Sequence, residues 1–416
     1  MIFNTRPVHP SPVVKILGFR KGVADNAWKA PRFSNSKLLG CAVAHHWPMW
    51  LPCDPTLKLK LAAVHFINQN HFATSRWFNA PCEWRQTLAM TGFAWLFGMA
   101  SVLTVACAPV NMQVETVLPL CRTIVPPDAA TIRWIAPFSE KDRGHLRSWC
   151  DAVGPVVVHE PDRPANRTSQ SLIVVSWNMA VGHGDLPKLL GEVSAADANA
   201  DVLLLVQEAY RSKTPPSRCP RGSGRAFALG LPRAPDSEDI IDFATRTQMY
   251  AAYAPSMRNG TDCSAEPRED RGNAILSTLP ISDVAVIELP FAQQRRVAIA
   301  ARLDGLRGVI STHFDTLRGH TRMAEAMAQA VHLLGWKRHF IIAGDFNSAL
   351  PIDRGQREMK RRFAEVDCGS GPTHQFGRRL DHIFIAQDDV SFPCRTGARR
   401  HGSDHRPLIA IVPKHG

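Results

Sequence analysis

The sequence predicts an α/β fold for its C-terminal portion, residues 171–413. Two observations predict it. Short aliphatic and β-branched runs alternate with helical stretches, and several runs end in polar residues of catalytic type. Leu172–Ser176, Val202–Val206, Val297–Leu303, Val309–Thr312 and Phe340–Ala343 read as buried strands, followed by the shorter runs Ile383–Ile385 and Leu408–Val412. Leu186–Ala195 and Arg322–Leu334 read as helices. A chain of 416 residues with 45% hydrophobic and 21% charged residues has the composition of a folded protein, which excludes a wholly disordered one.

The preceding part is less regular. Residues 110–170 carry turn signals such as Pro126-Pro127 and Pro161-Asp162-Arg163-Pro164, and are expected to form a linker and N-terminal segment. Within residues 86–109, the run from Leu88 to Pro109 holds no charge and is long enough to span a bilayer, which takes about 20 apolar residues. It reads as a signal or membrane-anchor segment, with a buried core helix as the plainer alternative. Its end, Leu103-Thr104-Val105-Ala106-Cys107, resembles a bacterial lipoprotein processing site that would place a lipid on Cys107, although Thr104 stands where Leu is preferred. Residues 1–85 show no sustained period and are expected to be a disordered extension or to lie ahead of the true start. An exported or membrane-anchored protein, in the periplasm or at the cell surface, is therefore expected, with a cytoplasmic one as the alternative.

Ten cysteines form no Cys-x-x-Cys pair, which argues against a structural zinc site. In an oxidising compartment the sequence-local pairs would be Cys121–Cys150, Cys219–Cys263 and Cys368–Cys394, with connectivity left open. The net charge of +12 suits a polyanionic substrate or an anionic surface but does not set chemistry. Arg295-Arg296, Arg378-Arg379, Arg399-Arg400 and the run Arg354–Arg362 supply cations able to follow a phosphate backbone, although solvated surface is the ordinary reading of any one cluster.

The chemistry lies where the apolar runs stop. Trp177-Asn178, Gln207-Glu208, His313-Phe314-Asp315 and Asp345-Phe346-Asn347 follow runs, Asp381-His382 precedes one, and Ser403-Asp404-His405 introduces the last. A single carboxylate at a strand end is usually a turn former or a cap. Together, however, these groups would gather on one rim of a sheet and aim into a common cleft. Carboxylate and amide oxygens with histidines, and no Ser or Cys nucleophile motif, are the inventory for water attack assisted by a hard cation. His382 alternates away from Asp381 and is expected on the opposite face.

The ordered set Trp-Asn, Gln-Glu, Gly-Asn-Ala-Ile-Leu-Ser (Gly272–Ser277), Thr-His, Gly-Asp-Phe-Asn, Leu-Asp-His and Ser-Asp-His-Arg-Pro resembles the endonuclease/exonuclease/phosphatase superfamily, including its deoxyribonuclease I-like and exonuclease III-like branches. The resemblance implies a four-layer α/β sandwich, two mixed and mostly antiparallel sheets flanked by helices. It also implies a metal-dependent phosphoesterase using Mg²⁺ or Mn²⁺. Carried over by motif, Glu208, Asn178 and Asp404 are metal-side residues. His405 is the catalytic histidine and Asp381 its carboxylate partner. Asp345 positions water, Asn347 donates to phosphate, and His313 is a second phosphate-facing histidine. Arg271, Asn273, Arg378, Arg379 and His374 are candidates for substrate contact. Nucleic acid is the expected substrate. A phospholipid phosphoesterase and a non-catalytic binding module on the same fold are the alternatives, and a monomer is expected.

Overall fold

The computed structural model describes residues 109–115, 132–149, 153–164, 170–212, 237–258, 269–303, 307–348 and 354–414. All of them lie in the second of two compact units, which spans residues 79–416. The 86–109 run, apart from its last residue Pro109, lies outside the described residues, as do the 1–85 extension and every cysteine except Cys368 and Cys394. Among the described residues no helix is long and apolar enough to cross a membrane.

Two mixed sheets form the frame. Sheet A has eight strands in the order β1 (Met112–Glu115), β2 (Arg133–Pro137), β8 (Ile281–Glu288), β9 (Val297–Leu303), β10 (Arg307–His313), β11 (Phe340–Asp345), β13 (Asp381–Ile385) and β12 (Ala364–Glu365). Sheet B has seven, in the order β14 (Cys394–Thr396), β15 (Leu408–Pro413), β4 (Ser171–Asn178), β5 (Asp201–Arg211), β7 (Asp270–Ser277), β6 (Tyr250–Arg258) and β3 (Val157–His159). Among the described residues only β2–β8, β10–β11 and β4–β5 pair in parallel. The expected mixed, mostly antiparallel character is thus observed.

Strand periodicity builds the layers. In β4, Leu172 and Val174 pack into the core between the sheets, whereas Ile173, Val175 and Trp177 face outward. In β11, Ile341 and Ala343 point inward and Phe340 and Ile342 outward. The outer face of sheet A is covered by α4 (His320–Leu333) and α5 (Arg354–Arg362), through Met323, Met327 and Met359. The outer face of sheet B is covered by α2 (Leu186–Ala196) and α3 (Ile240–Thr247), through Leu189, Val193 and Phe243. Helix α2 begins where Asp185 accepts the Lys188 N–H at 3.0 Å and Pro187 occupies its first turn, a stable start for a helix. These are the four layers of the α/β sandwich.

The expected 110–170 linker does more than connect. It supplies β1, β2, β3 and helix α1 (Glu140–Trp149), so edge strands of both sheets precede Ser171. These strands are three to five residues long, too short for a clear period in sequence. Cys368 and Cys394 form a disulfide that joins the segment following β12 to β14, so it links a chain leaving sheet A to the edge of sheet B.

Gly344 shows how tight the frame is. A Cβ there would lie 1.8 Å from the Thr312 carbonyl oxygen on β10. Gly344→Ala should destabilise the domain by about 3 kcal/mol through forced strand displacement, read as a lower thermal midpoint or loss of soluble protein.

Candidate active site

The site forms where the space between the sheets opens at one rim. In sheet A the register sets three residues side by side: His313 opposite Asp345, and Asp345 opposite Asp381. In sheet B Asn178 lies opposite Gln207. Each shares the parity of inward apolar residues on its own strand, Val309 for His313, Ile341 and Ala343 for Asp345, Ile383 for Asp381 and Val174 for Asn178. Gln207 donates to Ser311 Oγ at 3.1 Å, a polar link between the sheets beneath the site. His382 has the opposite parity and meets Glu365 at 2.5 Å on the outer side, as the alternation predicts.

Glu208 reaches the site by a departure from regular pairing. The β5–β7 register shifts between Val206 and Ala209, and Glu208 takes φ of 52°. A bulge of this kind re-aims a side chain, and a left-handed non-glycine residue costs on the order of 1 kcal/mol. The carboxylate ends 3.8 Å from Arg271 Nη1 and 3.9 Å from His313 Nδ1. Asn347 also has positive φ, 50°. Its N–H donates to Asp345 Oδ1 at 2.8 Å, and its Nδ2 lies 3.0 Å from both His313 Nε2 and the Phe314 carbonyl oxygen.

His405 stands on the loop leading into β15 and bridges to the other sheet. Its Nδ1 lies 2.7 Å from Asp381 Oδ2, and its Nε2 lies 3.7 Å from Asp345 Oδ2. The loop is anchored from below: Trp177 Nε1 donates to the His405 carbonyl at 3.1 Å, and Ser403 Oγ donates to the Asn178 carbonyl at 2.6 Å. Thr373 braces the opposite wall, its hydroxyl accepting from the Leu380 and Asp381 N–H groups at 3.0 and 3.2 Å. His374 Nε2 faces Asp404 Oδ2 at 3.3 Å, and its ring meets the His405 ring edge-on with centroids 4.8 Å apart.

Electrostatics separate the two central histidines. Burial alone would lower the His405 pKa, but Asp381, Asp345 and Asp404 outweigh it and raise it to about 10, so the ring is cationic at neutral pH. His313 goes the other way, driven well down by burial and then by Arg296, Arg271 and His405, and is neutral. Arg296 Nη1 lies 3.1 Å from His313 Nδ1 and Asn347 Nδ2 lies 3.0 Å from its Nε2, so donor groups face both ring nitrogens. Burial raises Asp345 to about 6, an effect reinforced by Asp381 and opposed by His405 and by the hydrogen bonds from Asn347 N and Asn178 Nδ2. Asp404 is held below its usual range because His374 and His405 outweigh its partial burial.

The structure therefore gathers Asn178, Glu208, His313, Asp345, Asn347, Asp381, Asp404, His405 and His374 around one rim. Asn273 is buried and donates to the Val297 carbonyl at 2.6 Å, which ties β7 to β9. Arg378 is exposed, and Arg379 turns back to the carbonyls of Gly369 and Gly371. Arg295-Arg296 corrects an expectation. Both side chains are 3% exposed; Arg295 pairs with Glu288 and Arg296 with His313, Gln294 and Thr316, so neither offers a surface cation. The contact of Arg296 with His313 and the brace that Thr373 gives the Leu380–Asp381 backbone are roles that sequence reasoning missed, although Thr373 adjoins His374; Trp177 and Ser403 belong to the strand-end motifs themselves.

Asp381→Asn should bring the His405 titration down from about 10 toward the ordinary histidine range, since Asp381 is the largest of the three carboxylate contributions that outweigh burial. Imidazole resonances followed by NMR across pH check this; an unmoved titration would refute the assignment.

No curated protein matches the chain. Among solved structures it is similar to the endonuclease/exonuclease/phosphatase from Beutenbergia cavernae DSM 12333, at 19% identity over 59% of this chain and 72% of that one, with a TM-score of 0.41. It is also similar to the human Nocturnin catalytic domain (14% identity, 59% and 95% coverage, TM-score 0.38) and to a Bacteroides thetaiotaomicron VPI-5482 mannosyl-6-phosphatase (16%, 58% and 99%, 0.37). The profile of the Endonuclease/Exonuclease/phosphatase family matches residues 175–405, more than half of the chain and the span from within β4 to His405, and the chain belongs to that family.

Proposed function

We propose that this chain is a Mg²⁺-dependent phosphodiesterase that cleaves nucleic acid by attack of water, with Mn²⁺ as an alternative ion. The observation that supports it most is the convergence of a cationic His405, an Asp345 of raised basicity and a neutral His313 on one rim beside Glu208. The donor set suits a hard divalent cation. The Glu208 carboxylate keeps its nearest ion-pair partners among the described residues at 3.8 and 3.9 Å, which leaves its oxygens free of close ion pairs, and Asn178 and Asp404 adjoin the same opening. When bound, the ion would neutralise phosphate charge.

The chain's own residues divide the remaining work. Asp345 accepts a proton from the attacking water, because its raised pKa makes it a better base than an ordinary carboxylate. Asn178 Nδ2 orients it from 3.0 Å. His405, charged and fixed by Asp381, stabilises the negative charge that builds on phosphate oxygens, and Asn347, whose Nδ2 lies beside His313, donates to the same charge.

The pH dependence follows from the signs. Asp345 must be ionised, so kcat/KM rises as pH passes about 6; His405 must be protonated, so it falls as pH passes about 10. A profile measured from about pH 5 to about pH 11 should be bell-shaped, and a flat acidic limb would refute Asp345 as base. Hydrolysis of plasmid DNA and of bis(p-nitrophenyl) phosphate should stop with EDTA and return with Mg²⁺. Glu208→Ala and His405→Ala should each lower kcat about a thousandfold without unfolding the domain. Turnover undiminished by EDTA, or either variant at near-normal rate, would overturn the reading.

A further inference from the structure

The turn between Thr373 and Arg378 is tied down on both sides. The Thr373 and His374 N–H groups donate to the Arg378 carbonyl at 3.0 and 2.9 Å, and the Gly377 N–H donates to the His374 carbonyl at 3.1 Å. Gln375 N–H donates to the Asp404 carbonyl at 2.9 Å, and Arg406 N–H to the Thr373 carbonyl at 2.7 Å, which fastens the turn to the catalytic loop. Gly377, at φ of 74°, supplies the left-handed residue that the turn requires. Upstream, the Cys368–Cys394 disulfide fixes the segment from which the turn rises.

On this rigid turn Phe376 is 77% exposed. A phenylalanine left in water forgoes roughly 1.5–3 kcal/mol of burial, which a partner stacked on it would recover. Its ring stands over His374, centroids 5.1 Å apart, and the His374 ring meets His405 at 4.8 Å. The three rings make a path from the reacting centre outward, within reach of the group next to the scissile phosphate. Its neighbours Gln375, Gly377 and Arg378 are also exposed, and they are polar, cationic or without a side chain. A bilayer would call for a contiguous apolar patch, whereas a lone aromatic ring beside a guanidinium is the composition of a platform for single-stranded nucleic acid.

We propose that Phe376 is a base-stacking residue: it receives an unpaired nucleobase flanking the scissile phosphate, with Arg378 on the adjoining phosphate. This rests on the nucleic-acid reading above and specifies it as single-stranded or locally unpaired substrate. Stacking needs no hydrogen-bond readout, so the site would accept any base sequence. The turn that carries the ring is held before substrate arrives, so little backbone ordering entropy is lost on binding.

The test compares oligothymidylate with an all-abasic oligomer of equal length, measured on the wild type, Phe376→Ala and Phe376→Trp in Mg²⁺. The wild type should favour the base-bearing oligomer in KM by about tenfold, as stacking energies imply. Phe376→Ala should bring that ratio close to one, chiefly through KM, and Phe376→Trp should retain it. A ratio unchanged in Phe376→Ala, or an equal loss on both oligomers, would overturn the platform while leaving a nuclease. Cleavage of bis(p-nitrophenyl) phosphate or of phosphatidylcholine vesicles without cleavage of either oligomer would overturn the nucleic-acid reading and this proposal with it.

Discussion

The hydrogen bond between His405 and Asp381 is the contact on which the rim depends, because its two ends belong to different sheets. Asp381 opens β13 of sheet A, whereas His405 rides on the loop entering β15 of sheet B. Both groups are buried, and a charged pair out of water is stable only when each end is satisfied. Removing one partner strands the other, at a cost on the order of 3–5 kcal/mol, so the pair holds the sheets in one relative position at the open end. Gln207 and Ser311 repeat this arrangement one layer deeper with neutral groups.

From that join the charges sort themselves. Asp381, Asp345 and Asp404 surround His405 and keep it cationic. The same buried setting drives Asp345 upward, and His313, although Asp345 Oδ2 lies 3.5 Å from its Nε2, is held neutral by burial and by Arg296, Arg271 and His405. Proton acceptor, fixed cation and neutral imidazole thus arise within a single row of sheet A and the loop beside it. Environment, not residue type, distinguishes the two histidines.

Much of this was legible from residues alone. The aliphatic runs marked the strands because buried strands must be apolar, and the polar residues at their ends marked the rim because strand ends collect there. The outward turn of His382 followed from period two. Other features had no local signature. The edge strands β1, β2 and β3 are too short to show a period. The bulge that delivers Glu208 is a matter of pairing register, visible only once β5 meets β7. Arg295 and Arg296 looked like solvated charge, since their partners Glu288 and His313 come from elsewhere in the fold.

The backbone at Glu208 has one more implication, for how this domain responds to selection. Its left-handed φ of 52° is a conformation that glycine adopts without penalty. Replacing Glu208 by glycine would relieve that strain but would also withdraw a carboxylate that faces the buried guanidiniums of Arg271 and Arg296. A search for hardier variants that scored only folding would meet these opposed effects at one position, and glycine there would discard a carboxylate of the rim.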